Sequence, residues 1–504
     1  MTSVRGPERP AVRRLDTAAV RGAFWLASDQ FGSRVVHLVS TLVLARLLFP
    51  TDFGLMAMAA ASTAFFRVFA NLGLGAAIIQ RRDVDDEYLS TAYWANLAAG
   101  ILLFIAIAGL GELLGTFLKE PRVGALVLVL SLRFVIAAGS ATQMAMISRR
   151  MDFRALSLRS ILATTVGGLF GIALAYRGLG VWSLVGQELG RSIAGTILLY
   201  RATGWRPKRV FSWPKFLDLW SFGGPLLITR FLGYLVRNTD NLLVGRYLGA
   251  AALGFYAFGF TVFAAPLNDI GAIVQRVMFS TLSRLHGDED RFKRGFLMAS
   301  CYVSMIMMPM MTGLALVGPL LVGVMFGSKW VPAAPVISIL AVAGCFGLTT
   351  ALGPTGLQAS GRPDLYLRRS LLSTLLYLPA FAVGIRWGIV GVATGYLVAT
   401  ALLAPIGFRM VAQATGVGLA EWWEAISPGV FGSAVMAASV GLVKWVLDLQ
   451  EFPTVAMLVV LVVVGVAVYV ASLWVIRRQA VQGLVRVLRD TLHTRGGQLL
   501  TEAE

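Results

Sequence analysis

Charge is scarce in this chain. Asp, Glu, Lys and Arg together make up 14% of its 504 residues, against 57% hydrophobic residues and a mean hydropathy of +0.74. Ordinary soluble domains are about a quarter charged, and no single water-soluble core can take up this much apolar surface. The composition is that of an integral membrane protein. Cysteine is scarcer still: only Cys301 and Cys345 are present, both inside apolar runs. That excludes a disulfide framework and a cysteine-ligated metal site, and leaves the two thiols as small packing residues. No P-loop, HExxH or GxSxG occurs, so the chain carries no signature for ATP binding, zinc proteolysis or α/β-hydrolase chemistry, and no cofactor is implied. Asp83-Val84-Asp85, within RRDVDDE, has the form of a metal-holding pair in sugar transferases, but it occupies a short loop with no domain around it. It reads as a solvated charge run.

What fills the chain is a series of apolar runs of about 20 residues, the length that crosses a bilayer core. They lie at 21–48, 53–79, 89–111, 123–147, 157–176 and 180–200, then at 217–245, 251–275, 296–326, 334–359, 368–385 and 388–411, and finally at 426–447 and 453–476. The pattern predicts an all-α polytopic membrane protein of about fourteen transmembrane helices. Basic residues then set the orientation, because Lys and Arg near helix ends stay on the cytoplasmic side. Arg5, Arg9, Arg13, Arg14 and Arg21 precede the first run, and every second connection is basic, through Arg81/Arg82, Arg149–Arg159, Arg201–Lys215, Arg276–Arg294, Arg362–Arg369, Arg409 and the tail from Arg477. Both termini are expected to be cytoplasmic. The net charge of +18 follows this topology and suits anionic lipid headgroups, with no recognition motif for nucleic acid. The first run carries Asp29 and Arg34 and lacks a small-residue cleavage site, so it is expected to stay in the protein as a helix.

The chain also repeats itself. LARLLFPTDFGLMAM at 44–58 returns as VGRYLGAAALGFYAF at 244–258, with Arg46 and Arg246, Leu48 and Leu248, Gly54 and Gly254, and Ala57 and Ala257 coinciding. RSIL at 159–162 pairs with RSLL at 369–372, and Gly180-Val181 with Gly391-Val392. Internal repeats of this kind mark two-lobed transporters. The expected organisation is a basic tail at 1–20, an N-terminal lobe of six helices at 21–200, a cytoplasmic link at 201–216, a second six-helix lobe at 217–411, two additional helices at 412–476 and an amphipathic tail at 477–504 lying on the membrane surface.

Ionisable side chains at membrane depth are costly and usually face a cavity or a partner. The first helix holds Asp29, Arg34 and His37, the last two on one face. Arg230, Tyr234, Arg237 and Asn241 form one polar stripe on the seventh, with Asp240 beside it, and His37 coincides with Arg237 at the repeat offset. Arg67 and Arg133 add positive charge, while Glu188 and Arg191 are spaced to neutralise each other. An arginine-rich cavity suits an anion, since guanidinium pairs with phosphate oxygens through two hydrogen bonds. Arg34, Arg230 and Arg237 are read as cavity residues. Arg67 and Arg133 stay open between the cavity and internal pairing, and Arg46 and Arg246 read rather as helix-end residues that snorkel or pair. Asp29, Asp240, Asp269, Glu188 and His37 are the candidate carriers of a coupling proton or cation.

The segments TDFGLMAMAAASTAFFRVFANLGLGAAIIQRRDVDDEYLSTAYWANLAAG (51–100) and NTDNLLVGRYLGAAALGFYAFGF (238–260) resemble the polysaccharide exporters of the multidrug/oligosaccharidyl-lipid/polysaccharide (MOP) superfamily, most closely the colanic-acid-exporter-like branch. The resemblance covers about residues 15–480 and implies two pseudo-symmetric six-helix bundles forming a V, plus two extra helices. It also implies an activity: flipping an undecaprenyl-pyrophosphate-linked oligosaccharide across the bacterial cytoplasmic membrane by ion-coupled alternating access, with a polysaccharide polymerase or co-polymerase as a partner. A drug or organic-cation antiporter of the same fold is the alternative, but it needs an excess of cavity acids, whereas arginine dominates among the candidate cavity residues. A membrane polymerase or acyltransferase is a second, and would need a long loop outside the membrane that the chain lacks. A non-transporting membrane partner of a glycan synthesis complex is a third, which the buried charges make less economical.

Overall fold

The computed structural model describes residues 32–476 apart from 71–73, 82, 224–225, 285–288, 348–352, 354–355, 358–359, 361 and 451; side chains at 68–70, 80, 221–233, 235–237, 268–284, 289 and 363 lie outside the description. Among the described residues there are helices and no strand, as a bilayer without water to satisfy loose backbone groups requires. In chain order the helices are α1 at 32–47, α2 Pro50–Ala70, α3 Leu74–Gln80, α4 Asp86–Phe117, α5 Arg122–Ala138, α6 Ala141–Arg149, α7 Phe153–Tyr176 and α8 Trp182–Thr203. There follow α9 Trp213–Gly223, α10 Leu226–Arg284, α11 Glu289–Phe326, α12 Ala334–Phe346, α13 Pro363–Gly384, α14 Gly388–Thr415, α15 Leu419–Leu449 and α16 at 454–476.

Eight stretches among the described residues are long and apolar enough to cross a membrane, or nine if the bent pair α5–α6 counts as one span. One of the eight, Asp364–Thr415, holds both α13 and α14, far more than the roughly 20 residues one crossing needs. The α8 helix is not among them because Glu188, Arg191 and Arg201 interrupt its apolar surface.

Contacts divide the chain into two compact units, Met1–Gly254 and Phe255–Glu504. In the first, α7 and α8 approach through glycine. A methyl on Gly167 would stand 2.6 Å from the Gln187 carbonyl oxygen, and one on Gly171 would stand 2.8 Å from the Gln187 Cβ. Lipid tails are as apolar as leucine, so helices associate by close packing and interhelical hydrogen bonds, the latter worth about 0.6 kcal/mol each. The run 123–147, continuous in sequence, breaks at Gly139-Ser140 into α5 and α6, bent by 43°. The freed carbonyls are taken up locally: Tyr200 donates to the Gly139 oxygen at 2.8 Å, and Ser140 and Thr196 donate to that of Ile136.

The two copies of the repeated hairpin meet within this unit. A methyl on Gly54 would collide with the Ala250 carbonyl oxygen, and one on Gly254 with that of Pro50. Residues 50 and 250, like 54 and 254, are equivalent in the repeat, so each copy does to the other what is done to it, the mark of a two-fold contact. Between them Gly249 (φ 85, ψ 177) turns the chain inside α10, a conformation open to glycine and strained for other residues.

In the second unit α15 and α16 pack on α11. Met305, Met436, Met457, Leu461 and Tyr469 form a common core, and the Tyr469 hydroxyl donates to the Met305 carbonyl at 2.6 Å. The α13 and α14 helices touch through Gly384, Gly391 and Gly395, and the rings of Tyr377, Phe381 and Tyr396 stack beside them.

Candidate functional site

Glu188 on α8 is the centre of a charged cluster in the first unit. Arg191, one turn along, holds both its oxygens at 3.0 and 2.8 Å, the pairing that a spacing of three allows. Arg133 of α5 reaches the same carboxylate at 3.6 Å. The charges of Arg191, Glu188 and Arg34 act on His37 of α1, and those of Arg133 and Glu188 act on Arg67 of α2. Arg133 of α5 and Arg191 of α8 thus share one carboxylate, with His37 of α1 and Arg67 of α2 within reach of its charge. Arg34, His37 and Arg67 are exposed, and Arg133, Arg191 and Glu188 are part-buried. Because guanidinium keeps its charge at every accessible pH, such a group attracts an anion and repels organic cations.

Of the polar stripe of α10, the side chains of Tyr234 and Asn241 are described, as is that of Asp240 beside them. Tyr234 is buried, donates from its hydroxyl to the Ala61 carbonyl at 3.2 Å and meets the Phe65 ring edge-on at 5.6 Å. Asp240 is buried and accepts from the Asn241 N–H at 2.8 Å, while the Asn241 side-chain oxygen is buried without a partner among the described residues. The side chains of Arg230, Arg237 and Asp269, and all of Asp29, lie outside the described residues. Arg246, read from sequence as a helix-end residue, caps the carbonyl of Phe117 at the end of α4 and lies over the Phe117 ring at 4.6 Å.

Two features were not foreseen from the sequence. RRDVDDE does not stand in solvent alone. Asp85 and Glu87 each hold Lys215 at 2.7 Å, Asp86 holds Lys208 at 2.7 Å, and Arg81 pairs with Asp218. The backbone N–H groups of Lys208 and Ser212 donate to the side chains of Ser90 and Thr91, so the basic link lies strapped along the first turns of α4. The hydrogen bond from Lys215 holds the Asp85 carboxyl below its usual range, and Asp85 and Glu87 raise Lys215 in return. The alternation of charge between RRDVDDE and RPKR was the available signal. The second feature is Arg369, counted in sequence with a basic link but buried in α13 at 8% exposure. Its place in RSLL, matched to RSIL, was the clue. Among the described residues no group of three or more His, Cys, Asp or Glu side chains is placed to hold a metal.

Residues 43–335 match the family described as polysaccharide biosynthesis protein. The teichuronic acid biosynthesis protein TuaB of Bacillus subtilis is 28% identical over 421 residues, covering 82% of this chain and 86% of that one. The lipopolysaccharide biosynthesis protein WzxC of Escherichia coli is 27% identical over 383 residues, 75% of this chain and 77% of that one. The fold is similar to that of the lipid II flippase MurJ in its inward closed conformation, with a TM-score of 0.72 at 13% identity over 91% of this chain and 100% of that one. A chain matched over more than half its length in this way belongs to the polysaccharide biosynthesis protein family.

Proposed function

We propose that this protein is a flippase that moves an undecaprenyl-pyrophosphate-linked oligosaccharide from the cytoplasmic to the outer leaflet of a bacterial cytoplasmic membrane, ahead of assembly of a surface polysaccharide. The observation that carries the reading is the pair of guanidinium groups on Glu188, Arg133 of α5 and Arg191 of α8, with Arg67 of α2 and His37 of α1 within reach of the same charge. A pyrophosphate is the part of such a substrate that a bilayer excludes most strongly, and planar, permanently charged guanidinium is the side chain that binds it bidentately. Relatives named for building teichuronic acid and lipopolysaccharide support the substrate class. We read the protein as a transporter rather than an enzyme, working by alternating access through two lobes of six helices with both termini in the cytoplasm, coupled to an ion through Asp29, His37, Glu188, Asp240 or Asp269. A polysaccharide polymerase that consumes the flipped product is the expected partner.

The test is the leaflet accessibility of undecaprenyl-pyrophosphate-linked oligosaccharide in cells depleted of this protein. Accumulation on the cytoplasmic face is expected. An unchanged distribution with polymer missing would instead assign the protein to polymerisation or to scaffolding.

A further inference from the structure

The basic residues between α8 and α9 fall into two groups. The lysines hold the link to the protein: Lys208 pairs with Asp86, and Lys215 with Asp85 and Glu87. Asp218, the remaining acid beside them, takes Arg81. Arg201, Arg206 and Arg209 are exposed, and among the described residues no carboxylate pairs with them.

The same stretch leaves apolar and aromatic surface uncovered. On α9, Leu219 is 1% exposed and belongs to one core cluster with Leu74, Ile78 and Leu89. Trp213 and Leu217, four apart on another face of that helix, are 61% and 49% exposed. Phe211, also exposed, lies 6.3 Å from Trp213 between ring centroids, so the open surface continues from the helix onto the link.

The height of this surface follows from α4. Backbone N–H groups of Lys208 and Ser212 donate to Ser90 and Thr91, and the Trp94 indole N–H donates to the Lys208 carbonyl at 2.8 Å. These partners lie at the start of the charge-free part of α4, residues 88–111, which is about 36 Å long at 1.5 Å per residue against ~30 Å for a hydrocarbon core. The link is also non-helical from 204 to 212, a backbone that lipid tails do not accept. It therefore lies at the level of the headgroups, where exposed tryptophan beside basic residues makes an interfacial anchor.

We propose that the link and the first turns of α9 form a docking surface for anionic phospholipid headgroups of the surrounding membrane. Phe211, Trp213 and Leu217 enter the interface, and Arg201, Arg206 and Arg209 take the lipid phosphates. Charge complementarity selects this occupant: a neutral surface would accept the rings and leave three arginines without counter-charge, whereas guanidinium pairs with phosphate through two hydrogen bonds. The inference does not depend on the flippase reading.

The experiment puts a nitroxide on the full chain carrying Cys301→Ser, Cys345→Ser and Leu217→Cys, in nanodiscs of phosphatidylcholine alone or of equal parts phosphatidylcholine and phosphatidylglycerol. The line shape gives the ratio of docked to undocked label. Collisions with oxygen, which enters the bilayer, and with an uncharged aqueous nickel chelate show what covers it. With phosphatidylglycerol the label should become shielded from nickel and stay open to oxygen. Arg206→Gln and Arg209→Gln should each lower the docked ratio about five-fold in those discs, the equivalent of ~1 kcal/mol per basic residue at an anionic surface, and change little in phosphatidylcholine alone. A label equally open to nickel in both lipids would overturn the proposal, as would a docked ratio indifferent to phosphatidylglycerol and to both arginines. Shielding from oxygen and nickel alike would also overturn it, by showing that a protein segment or a second copy covers this face.

Discussion

At the scale of single residues the protein contrasts two ways of keeping arginine in an apolar chain. Around Glu188 the guanidiniums share one carboxylate, so its removal uncovers more than one charge. Glu188→Gln should lower stability by about 1–3 kcal/mol, the usual cost of leaving a partly buried polar partner unsatisfied, read as the thermal midpoint of the purified protein in detergent. Glu188→Gln with Arg191→Gln should recover part of that loss; a double variant no better than the single one would mean that Arg191 contributes nothing to the pair. How far these residues could be read from the sequence has a physical limit. The spacing of three exposed the Glu188–Arg191 pair, because it is local to one helix. That Arg133 joins it from α5 depends on tertiary contact, which spacing does not encode. Arg369 was visible as half of a repeat, yet hydropathy gives a residue's depth and not the side of the helix it occupies, so its burial was not legible.

At the scale of elements, some helices follow the apolar runs, while the runs 217–245 and 251–275 both run into the single helix α10. The run 157–176 emerges as Phe153–Tyr176 and 388–411 as Gly388–Thr415. The break at Gly139-Ser140 was hidden, because neither residue lowers hydropathy enough to interrupt the window; what stabilises it is Tyr200, from another helix. The reciprocal contact at Gly54 and Gly254 yields a sharp prediction. Gly54→Ala and Gly254→Ala should each cost about 1–3 kcal/mol, as overpacking does, visible as reduced yield and a lower melting midpoint, whereas Gly178→Ala, with open space around it, should show no comparable collision penalty, only the backbone cost of its positive φ. The strap along α4 makes a prediction in pH. Asp85 is held below the ordinary aspartate range by Lys215, so its contribution is full at pH above that range and lost as pH falls through the depressed value. Lys215 is raised, so its contribution is full below the ordinary lysine range and lost as pH rises past the raised value. Amide protection over 204–212, exchange measured relative to the unfolded chain at the same pH, should therefore hold through neutral pH and fall in acid, and Lys215→Met should reduce that acid dependence, leaving the part due to Asp86 and Lys208.

At the scale of the whole molecule, composition and charge alternation made the class legible, and orientation is the claim most open to direct measurement. In a background with Cys301→Ser and Cys345→Ser, a cysteine placed at Arg206 in the strapped link should react with a membrane-impermeant maleimide only after cells are opened. One placed at Lys119 should react in intact cells. Equal labelling of both in intact cells would reverse or void the topology. The contact between the repeated hairpins bears on the history of the sequence as well as on its packing. Gly54 is constrained by the backbone near residue 250, and Gly254 by the backbone near residue 50, so neither copy can drift there without colliding with the other. The rest of the two halves is free to diverge, since apolar helices tolerate exchange of one aliphatic side chain for another. At Gly54 and Gly254 an identity that marks the repeat in the sequence is also the place where its two copies touch.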